Sequence, residues 1–476
     1  MTQTTQPLAD SARVVILGGG PGGYEAALVA RQRGAHVTVV EKQGLGGAAV
    51  LTDVVPSKTL IATAEWLTST ERAPELGIRD LLSARHQVDL SAVNTRVRAL
   101  AAAQSADIRA RLEADGVEIV SGTGRLAGPS RVVVTPTAGD GGDVVLDADT
   151  ALVAVGATPR VLPTAVPDGE RILTWTQLYT LEALPERLIV VGSGVTGAEF
   201  AGAYRALGCD VVLVSSRDRV LPGEDEDAAE LLEGVFRGRG MEVLSRSRME
   251  SAVRKGDGVA VTLTDGRVVE GSHVLLALGA VPATRGLGLE EAGVGLAASG
   301  HVVVDQVSRT SVRGVYAAGD CTGVLPLASV AAQQGRIAMA HALGDAVHPL
   351  RTGTVAANIF TAPEIATVGH SEKHLVENGL RYVTTMLPFA RNPRAKMLGM
   401  RDGFVKLFAH PEAGVVLGGV VVSPRASELI FPITLAVEHR LTVDDVASAF
   451  TIYPSLTGSV AEAARVLRGH VEPGAL

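Results

Sequence analysis

Short apolar runs that end in glycine, each followed by an Ala-rich helical stretch and then a second apolar strand, divide this chain. The first succession is VVILGGGPGGYEAALVARQRGAHVTVVEK, and it returns as LIVVGSGVTGAEFAGAYRALGCDVVLVSS. Between them the pattern predicts a helix over about 60–69 and another over about 91–115, with short strands before and after Gly124. A strand follows in LDADTALVAVGATPR, and VLLALGAVPAT closes the second run. HVVVDQVSRTSVRGVYAAGD reads as a pair of strands ending at the turn that bears Asp320. From about position 345 strands and helices alternate differently, and SPRASELIFPITLAVEH has an apolar helical face that needs cover.

Composition narrows this pattern. A chain of 476 residues, 46% apolar and rich in glycine but only 3% aromatic, fits an α/β protein built from strand–helix units. The length predicts about three domains. A formal charge of −8 argues against a nucleic-acid partner and supplies no basic patch for acidic membranes. No apolar stretch is long enough to span a bilayer, and the polar start MTQTTQPLADSAR has no signal-peptide core. The two cysteines, Cys209 and Cys321, lie in unrelated segments, as expected in a reducing cytoplasm. No metal site is expected: His370 and His374 are four apart, but Ser371 between them reads as a helix N-cap. The acidic run 224–227 reads as a solvated helix start.

Each glycine turn has specific chemistry. Gly18, Gly20 and Gly23, and then Gly192, Gly194 and Gly197, 174 positions on (192 − 18), form G-x-G-x-x-G between strand and helix. The first glycine allows the tight turn, the second lets backbone approach a pyrophosphate, and the third lets helix pack on strand. The phosphates then meet a helix N-terminus. Glu41 closes the next strand, where a carboxylate can accept a ribose hydroxyl. Two such units predict two bound dinucleotides.

Three further stretches, GLGGAAVLTDVVPSKTLIATAEWL, TSVRGVYAAGDCTG and FTAPEIATVG, resemble the signatures of the flavoprotein disulfide reductases, the family of dihydrolipoamide dehydrogenase, glutathione reductase and mercuric reductase. The resemblance runs over nearly the whole chain. It implies two Rossmann-like dinucleotide-binding domains plus a C-terminal α+β dimerisation domain. FAD would be held by residues 12–160 and 286–344, NAD(P)H by 161–285, and a homodimer would form through 345–476. For FAD it points to Gly18, Gly20, Gly23, Glu41, Lys42, Gly47, Lys58, Gly124, Gly156, Asp320 and Ala328. For NAD(P)H it points to Gly192, Gly194, Gly197, Glu199, Ser215, Ser216, Arg217 and Gly279. Lys58 is expected at the flavin N5 edge, paired with Glu199. Where NAD-dependent relatives carry Glu, this chain has Ser215, with Arg217 and Arg219 nearby, which favours NADPH or use of both nucleotides.

Two departures redirect the chemistry. The family's redox frame G-G-x-C-x-x-x-x-C-x-P-S-K has Ala49 and Val54 at its cysteine positions, so dithiol exchange there is excluded. The family's H-P-x-x-x-E acid/base becomes Tyr453, Pro454 and, at the glutamate position, Gly458. The chain therefore looks like the NAD(P)H quinone reductases of the lipoamide-dehydrogenase-like type, passing hydride to FAD and two electrons to a quinone or dye. Ala49, Val54 and Tyr453 of the partner subunit would line the acceptor pocket. A soluble pyridine nucleotide transhydrogenase and a redox-silent nucleotide-binding flavoprotein are the alternatives.

Overall fold

A computed structural model describes residues 12–70, 73–78, 88–137 and 142–470. Most of the polar start, positions 1–11, and positions 471–476 lie outside the described residues. The chain divides into two compact units, one of residues 1–57, 94–160 and 279–351, the other of 58–93, 161–278 and 352–476. This partition differs from the sequence segmentation. Residues 279–285 belong to the first unit because strand Ala280–Pro282 pairs antiparallel with Ala157–Pro159. Residues 161–278 and 352–476, read as separate domains, share the second unit.

The first unit is built on a seven-stranded sheet in the order Val315–Ala317, Thr150–Val153, Arg13–Leu17, His36–Glu41, Glu118–Leu126, Arg131–Pro136, Val144–Asp147. Its first five strands are parallel and the last three form antiparallel pairs. Parallel pairing buries both faces, which is why Val14, Val15, Ile16 and Leu17 are all buried in an unbroken apolar run. Helix Pro21–Gln32 starts directly after Gly20, with proline in its first turn, and buries Ala26, Ala27 and Ala30. Helix Ala328–Ala342 crosses it so closely that a Cβ on Gly335 would stand 2.0 Å from the carbonyl oxygen of Gly22.

Two local expectations are corrected. Gly124 lies within strand Glu118–Leu126, where an added Cβ would meet Leu17 Cδ2 at 2.4 Å. Of the strand pair read in 301–320, only Val315–Ala317 forms a strand, and the earlier part makes isolated bridges. The Asp305 carboxylate accepts the N–H groups of Val307 and Arg309, closing a turn where a strand was expected.

The second unit holds a five-stranded parallel sheet in the order Glu242–Leu244, Asp210–Val214, Arg187–Val191, His273–Leu276, Ile172–Thr174. A three-stranded antiparallel meander, Met249–Lys255, Gly258–Leu263 and Val268–Gly271, accompanies it. Residues 357–423 form an antiparallel sheet of five strands, and helices Phe431–Glu438 and Gly458–Arg468 bury Ile433, Ala463 and Leu467 in its core. Phe431 and Leu435 remain on the exposed side of that first helix.

The acidic run 224–227 is not a solvated helix start. Asp225 caps helix Glu226–Gly238 through the N–H of Ala228, and its buried carboxylate pairs with Lys406 at 3.0 Å. Lys406, itself buried, also meets Asp227 at 2.6 Å and Glu372 at 2.5 Å. Burial works against its charge, but hydrogen bonds to the three carboxylates outweigh it and raise the ammonium pKa. These carboxylates are close enough together to hold a cation, and the lysine supplies it.

Candidate functional site

In the first unit one cavity gathers most of the residues assigned to the flavin. Gly18, Gly20, Glu41, Lys42, Gly47, Gly124, Gly156, Asp320 and Ala328 all lie on its wall. The helix start at Gly20 carries no side-chain cap, and a Cβ on Gly20 would meet nothing closer than Gly47 Cα at 3.9 Å, so backbone is open to a phosphate there. Gly18 has φ +100, and a Cβ on it would stand 2.3 Å from Ala154 O. Gly23 lies behind the wall: its Cβ would fall 1.9 Å from Gly18 O, so only glycine lets this helix reach the strand.

Two carboxylates on the cavity wall lie in fixed turns. Glu41 accepts the N–H of Gly19 and of Gln43, each at 2.7 Å. Burial raises the Asp320 carboxyl above the usual range, opposed by His301. Its turn is held by Gln334, whose side-chain oxygen accepts Gly319 N–H at 2.8 Å, a support that sequence reasoning missed. Cys321, next in the chain, is fully buried and its thiol is pushed up to about 12, which makes it packing and not a nucleophile.

Ala49 and Val54 lie on the wall of the same cavity. Ala49 belongs to the short helix Gly47–Leu51 and Val54 opens helix Val54–Thr70, so both cysteine positions of the family frame are occupied by aliphatic side chains. Lys58 stands one turn beyond Val54 on that helix.

In the second unit Lys58 Nζ meets Glu199 Oε2 at 2.7 Å, the pairing expected from the sequence. Glu199 is only 4% exposed, and its other oxygen accepts the Phe360 N–H at 2.8 Å. The Lys58 ammonium also lies over the Phe360 ring, 4.9 Å from its centroid. Phe360 was not foreseen, although it opens the FTAPEIATVG stretch.

The second glycine turn repeats the first. Gly192 has φ +111, and its Cβ would stand 2.2 Å from Ala277 O; that of Gly197 would fall 1.8 Å from Gly192 O. Gly194 starts helix Val195–Ala206 without a side-chain cap and with open space beside it. Gly279, expected here, belongs to the first unit, where its carbonyl accepts the Arg160 N–H.

Ser215 requires a second correction. It is 0% exposed, and its Oγ lies 2.7 Å from Ser193 Oγ, so its side chain faces the protein and not a ligand. Ser216 and Arg217 are the exposed members of the group. Arg219 is paired with Glu226 at 2.5 Å and Glu230 at 3.8 Å.

Tyr453 is 82% exposed, and Phe450 and Ile452 beside it are exposed too. Within one chain it therefore contributes to no enclosed site.

Known proteins resemble this chain in sequence and fold. The sequence profile of the pyridine nucleotide-disulphide oxidoreductases matches residues 12–335, and the profile of their dimerisation domain matches 355–464. Over 466 residues the chain is 55% identical to the NAD(P)H dehydrogenase (quinone) of Mycobacterium tuberculosis, covering 96% of this chain and 94% of that protein. It is 32% identical over 460 residues to the dihydrolipoyl dehydrogenase of Zymomonas mobilis, covering 96% and 97%. The crystal structure of LpdA from Mycobacterium tuberculosis superposes with a TM-score of 0.91 at 55% identity, over 96% of this chain and 99% of that one. RclA from Escherichia coli, an HOCl-induced flavoprotein disulfide reductase, shares the fold at TM-score 0.85 and 22% identity, over 96% of this chain and 100% of that one.

Proposed function

The chain belongs to the pyridine nucleotide-disulphide oxidoreductase family, and from that premise we propose that it is an FAD-dependent NAD(P)H:quinone oxidoreductase working without a disulfide relay. The observation that carries this reading is the pair Ala49 and Val54 on the wall of the glycine-lined cavity. No thiolate can form at either position, so a disulfide acceptor has no partner there. A flat, weakly polar ring does fit an aliphatic wall. The relative that is 55% identical bears the name NAD(P)H dehydrogenase (quinone).

Bound FAD would supply the two-electron chemistry that links nucleotide to acceptor. The residues present suit it. The helix start at Gly20 would take the pyrophosphate and Asp320 the ribityl hydroxyls, with helix Ala328–Ala342 beginning beside them. Lys58 would bring a cation to the N5 edge. The Phe360 N–H shares Glu199, so the carboxylate fixes the ammonium without claiming both of its own oxygens for it. The second glycine turn would hold NAD(P)H. In the net reaction hydride leaves NAD(P)H, one proton comes from solvent, and the quinone becomes a hydroquinone.

Dimerisation would cover the exposed Phe431, Phe450 and Ile452. Tyr453 of the partner subunit would then complete the acceptor pocket beside Ala49 and Val54. The two buried free thiols suit the reducing cytoplasm.

An acceptor screen with the flavin-loaded protein tests this reading. Menadione should be reduced at the expense of NADPH or NADH, whereas lipoamide, glutathione disulfide and mercuric ion should not. Turnover of lipoamide by the unaltered protein would overturn it. Faster transfer to an NAD analogue than to menadione would make the protein a transhydrogenase. Val54→Trp localises the acceptor: quinone turnover should fall while NADPH still bleaches the flavin at the unaltered rate.

A further inference from the structure

Asp320 opens the short turn Asp320–Thr322, whose backbone is held from two directions. Gln334 Oε1 accepts the Gly319 N–H at 2.8 Å, and the Cys321 carbonyl accepts the Val302 N–H at 2.8 Å. The carboxylate itself is left over: it takes no hydrogen bond and no ion pair among the described residues. Burial therefore acts on it without relief from any donor and drives it toward the protonated form.

One side chain able to become a cation answers it. His301 follows turn 297–300, where its carbonyl accepts the Ala297 N–H at 2.8 Å and Thr284 Oγ1 donates to the Gly300 carbonyl at 2.7 Å. Its Nδ1 lies 2.8 Å from Ser299 Oγ. The ring rests on the far end of the Asp320 turn: a Cβ on Gly323, which has φ +68, would stand 2.9 Å from both Cγ and Cδ2 of His301. Val302, next to His301, donates to Cys321, next to Asp320, so adjoining backbone ties the two residues together. The turns packed on this ring, 297–300 and 319–323, hold one charged side chain, Asp320, and one neutral thiol, Cys321. Glu41, Lys42 and Asp53 carry the remaining charges of the cavity wall, but the group that acts on the Asp320 carboxyl is His301. His301 itself is not on that wall.

We propose that His301 is a positioning residue for the flavin: as an imidazolium outside the cavity it keeps Asp320 ionised for the ribityl hydroxyls, and so carries flavin retention into acid. An imidazole gains its charge between pH 8 and pH 5, the range over which a buried carboxyl begins to lose its own. The two changes oppose each other, because a cation beside the carboxylate resists its protonation. A protonated carboxyl would lose the charge that strengthens its bond to a hydroxyl.

The inference rests on flavin binding by the first unit, as read above, and on nothing concerning the acceptor. Flavin release from the holoprotein tests it, read as the fluorescence of freed FAD after dilution at pH 8 and at pH 5 and expressed as a Kd. The unaltered protein should hold flavin about equally at both. His301→Gln should leave the pH 8 value within about twofold and raise the pH 5 value about tenfold, the effect of displacing the carboxyl titration by about one pH unit. His301→Lys, charged at both, should restore the pH 5 value. In an Asp320→Asn background, which should bind flavin more weakly at both, His301→Gln should have no further effect. Equal loss at both pH values in His301→Gln, not rescued by lysine, would reduce the ring to packing on Gly323 and overturn the proposal.

If His301→Gln does not load flavin, His301→Lys decides. Loading at both pH values supports the counter-ion, and no loading in either variant overturns it. Unaltered protein that takes up no FAD at pH 8 would fell the flavin reading itself. Failure of menadione reduction alongside the expected Kd values would overturn the acceptor assignment and leave His301 in its role.

Discussion

In the first glycine turn a backbone N–H meets a carboxylate; in the second, at the same two positions, two hydroxyls meet each other. Around them the turns hardly differ. The first glycine of each presses on a carbonyl at 2.3 and 2.2 Å, and the third on its own turn at 1.9 and 1.8 Å, measured to a hypothetical Cβ. The capping glycines have φ, ψ of −69°, −175° and −72°, −173°. Steric closeness leaves glycine no substitute at the packed positions, so the frame cannot drift. The side chains beside it are free to change the ligand.

The strongest way to break this comparison is to insert the forbidden Cβ in each turn. Gly23→Ala should abolish flavin loading, read as loss of visible absorbance in the purified protein. Gly197→Ala should keep the flavin and raise KM for both nucleotides about a hundredfold, near 3 kcal/mol, the upper range for overpacking. If Gly197→Ala strips the flavin as well, the turns are not separate sites.

Glu41→Ala sharpens the contrast between carboxylate and hydroxyls. It leaves the Gly19 and Gln43 N–H groups without their acceptor. About 2 kcal/mol, or roughly thirtyfold in flavin Kd, should be lost, while nucleotide KM stays unchanged. Arg217→Ala should raise KM for NADPH about tenfold, the value of one charge-assisted contact, and leave NADH alone. An equal rise for NADH would show that the loop reads something other than the 2′-phosphate.

The smallest effect asks whether the second unit does more than bind. Phe360→Leu removes the ring beneath the Lys58 ammonium but keeps the N–H that holds Glu199. Rapid-mixing bleaching of the flavin by NADPH should slow about threefold, the value of a modest cation–π contact, and Phe360→Tyr should restore it. An unaltered rate in Phe360→Leu would make the ring mere packing.

What the sequence made legible follows from local physics. Both glycine turns and their flanking strands and helices could be read, because strand, tight turn and helix start are fixed by neighbouring residues. The pairing of Lys58 with Glu199 was reached through family resemblance, since no local rule joins residues so far apart in the chain. Ser215 was read as ligand-facing because its burial depends on Ser193, and only aligning the two turns against each other would have exposed the pair. The run 224–227 misled for a similar reason: its partner Lys406 lies far along the chain, in a strand that otherwise reads as apolar. The turn at Asp305 replaced a strand because one side chain captured two backbone donors.

Lys406 has a further consequence, for unfolding. It emerges from the middle of strand Phe404–Ala409 and is bound to the start of helix Glu226–Gly238, so an element of the C-terminal sheet and one of the nucleotide region share a single buried charge. Separating them takes two of its three carboxylates from the buried ammonium, at about 3–5 kcal/mol. Partial opening of either element is therefore costlier than its own contacts would make it. Heat should take them in one cooperative step, and amide protons in both should exchange together in one foldon.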